Sequence, residues 1–156
     1  MKTNNILSNK DFKTIIEKKS RLIGIDPGSK NIGIAICDEN KIVATPLKTT
    51  NKTKIEVFLN EINKIIIENN IKGIVIGKPL HMDGSVSRSS QSAADLAENI
   101  SKNITIPITL WDERLSSEGS FKIVRDLGTN VSSRVKKLDE NAAAFILQGA
   151  IDYLTN

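Results

Sequence analysis

Four carboxylates in this 156-residue chain stand where side chains can do chemistry: Asp26, the adjacent pair Asp112 and Glu113, and Asp139. Asp26 closes the apolar run Leu22-Ile23-Gly24-Ile25 and directly precedes Pro27-Gly28, a turn dipeptide. It therefore falls at the carboxyl end of a buried strand, where open α/β sheets place their ligands. Asp112 and Glu113 follow an apolar run ending at Trp111 in the same manner. Asp139 begins a stripe with Ala142, Ala143, Ile146, Ala150 and Tyr153, spaced at i, i+3, i+4, i+7, i+11 and i+14, so one helix face carries all six. That stripe is otherwise apolar and must face the sheet, with Asp139 at its N-terminal end. Capping the helix is the alternative role for this aspartate.

Like charges within a few ångströms raise one another's pKa and repel, so three acids at one sheet edge are costly unless a cation joins them. The chain has one histidine and one cysteine, Cys37, which rules out a disulfide framework and a thiolate metal cluster. Hard oxygen donors point instead to Mg²⁺ or Mn²⁺. A pair of such ions can activate water and stabilise the leaving oxygen of a phosphodiester. The charge balance agrees with a polyanionic partner: 22 basic against 18 acidic side chains give +4, with a sequence pI near 9.2.

Several residues could meet phosphate. Gly28, Ser29 and Lys30 form a glycine-containing turn directly after Asp26, although ordinary hairpins use the same residue types. Lys78 and Arg88 bracket a polar loop rich in hydroxyls. Arg114, beside the acidic pair, can bind phosphoryl oxygens bidentately or form a structural ion pair with Asp112 or Glu113. His81 reads as a loop residue, Cys37 as buried and inert, and Trp111 as core packing in preference to a base-stacking platform.

The elements that must position these groups follow from periodicity. Buried-strand patterns cover Leu22–Asp26, Ile32–Cys37 and Ile42–Ala44, an antiparallel meander on tight turns. Helix spacing over Lys52–Asn69 precedes a fourth strand, Gly73–Gly77, and a helix from about Ser90 to Ser101. Ile104–Trp111, interrupted by Pro107, gives a fifth strand, and helices over Ser116–Leu127 and Glu140–Leu154 finish the chain. The order βββαβαβαα predicts an α/β fold with a five-stranded mixed sheet and helices on both faces. Residues 21–156 form one domain, preceded by a polar extension, residues 1–20, with a helix-spaced cluster at Phe12, Ile15 and Ile16. No apolar run approaches the roughly 20 residues of a membrane span, and the lysine-rich start lacks the apolar stretch of a secretory signal, so a cytoplasmic protein is expected.

Four blocks together carry a family resemblance. They are Gly24-Ile25-Asp26-Pro27-Gly28-Ser29-Lys30-Asn31-Ile32-Gly33-Ile34-Ala35, then Ile76-Gly77-Lys78-Pro79-Leu80-His81-Met82-Asp83-Gly84, then Asp112-Glu113-Arg114-Leu115-Ser116, and Asp139 before an Ala-rich helix. In this order, across residues 21–154, they resemble the YqgF family, also described as pre-16S rRNA nucleases or Holliday-junction-resolvase-like proteins, of ribonuclease H-like fold. The resemblance implies a divalent-metal nuclease with Asp26, Asp112 or Glu113, and Asp139 as its acids, Glu113 preferred to Asp112 as the metal ligand. It implies processing of the 5′ end of the 16S rRNA precursor, or resolution of four-way DNA junctions, by a monomer or homodimer. His81 stands where asparagine is common in the family, and residues 1–20 extend beyond its usual start. Two other readings compete: a nucleic-acid-binding module with little turnover, and an actin-like ATPase, for which this chain lacks the second half-domain.

Overall fold

Seven residues, Arg21–Pro27, form the central strand β2, four of them consecutively buried because helices cover both of its faces. The computed structural model describes residues 4–28, 31–51, 54–78, 88–112 and 138–156, with the side chains of 88–91 and 138–141 outside the description. Its described strands are β1 (Ile6–Leu7), β2, β3 (Asn31–Cys37), β4 (Ala44–Asn51), β5 (Ile71–Lys78) and β6 (Ile108–Asp112). The described helices are α1 (Asn9–Ile15), α2 (Ile55–Asn69), α3 (Arg88–Ser101) and α4 (Leu138–Thr155). The predicted helix over Ser116–Leu127 lies outside the described residues.

The strands form one sheet in the order β1-β6-β5-β2-β3-β4. The first four are mutually parallel, and β3 and β4 complete the expected antiparallel meander. Five strands were expected; the sixth, β1, comes from the segment read as an extension. Alternation along β2 divides the core. Ile23 and Ile25 point to the layer of α2 and α3, whereas Leu22 belongs to the opposite layer of α1 and α4.

Two strand boundaries differ from the sequence reading for identifiable reasons. Ile42-Val43 resembles a strand, yet both of its N–H groups donate to the Asp38 carboxylate, at 2.8 and 2.9 Å, which folds the segment into a turn and leaves Ile42 exposed. The strand begins instead at Ala44 and carries Pro46 at a register shift on the free edge of the sheet, where a missing N–H is tolerated. Likewise Pro107 cannot donate to a ladder, so β6 starts after it, at Ile108.

Candidate functional site at the carboxyl edge of the sheet

Because β2, β5 and β6 are parallel, their carboxyl ends at Pro27, Lys78 and Asp112 lie at one edge of the sheet. Asp26 is half-buried there, next to a three-residue turn in which the Gly28 N–H donates to the Asp26 carbonyl at 3.0 Å around Pro27, whose fixed φ suits that turn. The turn has no room for a side chain at Gly28, where a Cβ would stand 2.4 Å from the Asn31 carbonyl oxygen. On β3 the residue opposite Asp26 is Gly33, and extending the β2–β5 register from Ile25 and Ile76 puts Gly77 on its other side. Asp26 therefore has glycine on both neighbouring strands within its own row.

Helix α4 reaches this edge by close packing. Its last residues, Leu154 and Thr155, lie beside Asn40 and Lys41 at the far edge, while Ala143 lies over Gly24, so it runs antiparallel to β2. A Cβ on Gly24 would sit 2.7 Å from Leu147 Cβ and 3.1 Å from the Ala143 carbonyl oxygen, and one on Gly77 would sit 2.3 Å from Ile146 Cδ1. From Gly24, two residues along β2 climb about 6.6 Å to Asp26. From Ala143, one turn toward the N-terminus climbs about 6 Å, at 1.5 Å per residue, to Asp139. Both segments therefore rise toward the same edge of the sheet, Asp26 at the end of β2 and Asp139 in the first turn of α4. Asp139 is the second residue of the helix, inside its first turn, and not the residue before it. Of the predicted stripe, Ala143, Ile146 and Ala150 are buried and Ala142 and Tyr153 half-buried; Ala144, Leu147, Gln148 and Ile151 widen the buried face.

Strand parity separates the acidic pair. Trp111 shares the α4 face with Gly77, its partner in the register, and is buried against Tyr153, ring centroids 5.7 Å apart, consistent with core packing. Asp112 follows it, so it belongs to the opposite face with Ile108 and Leu110, beside its register partner Lys78. Asp112 and Lys78 are therefore at the expected edge but on the other face from Asp26. Arg88 opens α3. Ser29, Lys30, His81, Glu113 and Arg114 lie outside the described residues. Cys37 is buried, as expected, and burial pushes its thiol up to about 11 although the Leu22 N–H bonds to it. The sequence reading missed the role of Gly24 and Gly77 in admitting α4, although glycine inside an apolar strand is the usual signal of close backbone approach.

Comparison with known proteins decides the family. Residues 20–153 match the family model described as "RuvX: Holliday junction resolvase". The chain belongs to the RuvX family. Within it, a protein of Pelagibacter ubique named "Putative pre-16S rRNA nuclease" is 56% identical over 146 residues, covering 94% of this chain and 97% of that one. A protein of the same name from Rhodobacter capsulatus is 38% identical over 146 residues, 94% of this chain and 92% of its own. RuvX-family residues here also share a fold with the Thermus thermophilus RuvC protein solved in complex with a Holliday junction substrate, at a TM-score of 0.58 and 12% identity over 88% of this chain and 96% of that one. The ribonuclease H-like α/β fold expected from the sequence is thereby borne out. No helix among the described residues is long and apolar enough to cross a membrane.

Proposed function

We propose that the chain is a divalent-metal endonuclease that hydrolyses RNA phosphodiesters at the 5′ end of the 16S rRNA precursor, acting in the cytoplasm. The observation that carries this reading is that β2, ending at Asp26-Pro27, and the first turn of α4, which contains Asp139, both reach the carboxyl edge of the sheet. The names carried by close relatives in the same family support the RNA substrate. Asp26, Glu113 and Asp139 would hold the metal. Asp112 stands on the face away from Asp26, which supports Glu113 as the second ligand.

The described residues fit such a group. Asp26 is a hard oxygen donor at a strand end, with glycine beside it in its row at Gly33 and at Gly77, the latter covered by Ile146. Among the described residues no three His, Cys, Asp or Glu side chains gather; the Glu113 residue and the Asp139 side chain lie outside that set. When bound, one or two Mg²⁺ or Mn²⁺ ions lower the cost of deprotonating water and neutralise charge on the leaving oxygen. The chain's own contribution is to orient the acids from rigid elements and to bring up cations, Lys30 and Arg114 foremost, with Gly28, Ser29, Lys78 and Arg88 along the phosphate path.

A second reading, cleavage of four-way DNA junctions, is favoured by the description of the matching family model. Symmetric cutting would require a two-fold dimer. A panel with the 5′ leader of precursor 16S rRNA, single-stranded DNA and a four-way junction, at one salt and metal concentration, separates the readings. RNA cleavage abolished by chelator is the expected result. Paired cuts in the junction with intact RNA would favour the second reading. Binding that survives chelation with no cleavage of any substrate would overturn both in favour of a binding module.

A further inference from the structure

Strand β6 ends at Asp112, the first of the acidic pair, and among the described residues its only long partner is β5, through Ile108 to Asp112. Its other side is held by residues 5–9. The Ile108 N–H donates to the Asn5 carbonyl at 2.9 Å, and Ile6 and Leu7 pair in parallel with Ile108 and Thr109. Just before β6, where Pro107 interrupts any ladder, the Asn5 side-chain amide donates to the carbonyls of Ile104, at 2.8 Å, and Ile106, at 2.7 Å, while Ser101 Oγ bonds to its oxygen. Within β6, Thr109 is 2% exposed, and its Oγ1 lies 2.9 Å from the Leu7 carbonyl and 2.7 Å from Asn9 Oδ1. The hydroxyl proton serves one of these at a time. Helix α1 starts at Asn9, is capped by Ser8 bonding to the Asp11 N–H, and seats Phe12 fully buried against Gly73 and Leu22.

This arrangement exceeds what is needed to blunt a sheet edge, for which a short strand or a charge suffices. It fixes β6 along its axis from both sides and ties down the chain that enters it. We propose that residues 5–9 are a brace that sets the height of β6, making Asn5 and Thr109 positioning residues for the carboxyl end of that strand. The proposal rests on the nuclease reading above. Catalytic groups must be held to within about 0.5 Å, and an error of about 1 Å can cost about 100-fold in rate. Residues that only fix β6 should therefore act on turnover and not on substrate capture, which falls to the cationic loops.

The test compares Asn5→Leu and Thr109→Val with the full-length wild type, with Thr109→Ser as the conservative variant. In the first two, kcat should fall about 10-fold or more while KM for the nucleic acid stays within about twofold. Amide exchange should quicken at Ile108 to Asp112 and stay unchanged in the β2–β3 ladder. Thr109→Ser keeps the hydroxyl and should restore both kcat and exchange protection. Unchanged kcat in both variants would overturn the brace, as would faster exchange spread evenly through β2, β5 and β6, the mark of general destabilisation. Absence of metal-dependent cleavage by the wild type would instead defeat the nuclease reading, and unchanged β6 exchange in both variants would still overturn the brace in that case.

Discussion

At the amino edge of β2, polar groups find their partners within the chain. Lys41, 5% exposed and held at φ 55°, donates from Nζ to the carbonyls of Glu17 and Lys18 and to Ser20 Oγ. Nearby, the Asp38 carboxylate accepts from the N–H groups of Asn40, Ile42 and Val43. At the carboxyl edge the proposed site would instead draw acids of one sign, from the end of β2 and the first turn of α4, to a shared cation that offsets their repulsion. One end of the sheet thus closes the fold, and the other is the end proposed to receive a ligand. Substitutions at the first end should cost stability alone, and those at the second should cost activity out of proportion to stability.

Gly24 lets α4 approach the receiving end, and its replacement should have the largest effect. In Gly24→Ala the new Cβ meets Leu147 Cβ and the Ala143 backbone, so α4 must move. The expected loss is about 1–3 kcal/mol of stability. A shift near 1 Å in the Asp139 turn should also lower the cleavage rate by about 100-fold, measured on protein shown to be folded. A rate equal to wild type would separate α4 placement from activity.

Lys41→Met sharpens the contrast from the other side. It removes three hydrogen bonds from a charged donor, to the Glu17 and Lys18 carbonyls and to the buried Ser20 hydroxyl, for an expected cost of about 1–3 kcal/mol read from denaturant midpoints, with turnover per folded molecule unchanged. The smallest effect belongs to Asp38. Burial works to raise this carboxyl, but hydrogen bonds from Val43, Ile42 and Asn40 outweigh it and hold it below the ordinary value. A depressed folded value means that the ionised carboxylate stabilises the fold above the ordinary carboxyl range, and that this contribution is lost as pH falls through the folded value. Asp38→Asn should therefore be less stable than wild type near pH 7, with the gap narrowing below about pH 4.

The proposed acids were more legible in the sequence than the elements that carry them. Asp26 announces itself because an apolar run ends on a charge before Pro-Gly, and Asp139 because it shares a helical stripe with small residues. These are local patterns with a fixed period. The choice between Asp112 and Glu113 depends on which residue of β6 faces α4, and only the pairing of Gly77 with Trp111 sets that parity. The two residues of β1 carry no periodicity at all; their place follows from the Asn5 amide and Thr109, about a hundred positions apart in sequence. The start of β4 was misread because Asp38 captures two N–H groups that would otherwise have entered a ladder, a competition that hydrophobic pattern does not register.

In the proposed nuclease Asp26 and Asp139, with Glu113, hold the divalent metal together. Mn²⁺ titration of the wild type, Asp26→Asn and Asp139→Asn, followed by calorimetry, tests it most directly. Each substitution should weaken binding at least about 10-fold, and thermal stability in the absence of metal should hold or rise as like charge is relieved. Wild-type Mn²⁺ affinity in Asp139→Asn, or no Mn²⁺ binding by the wild type, would contradict the account.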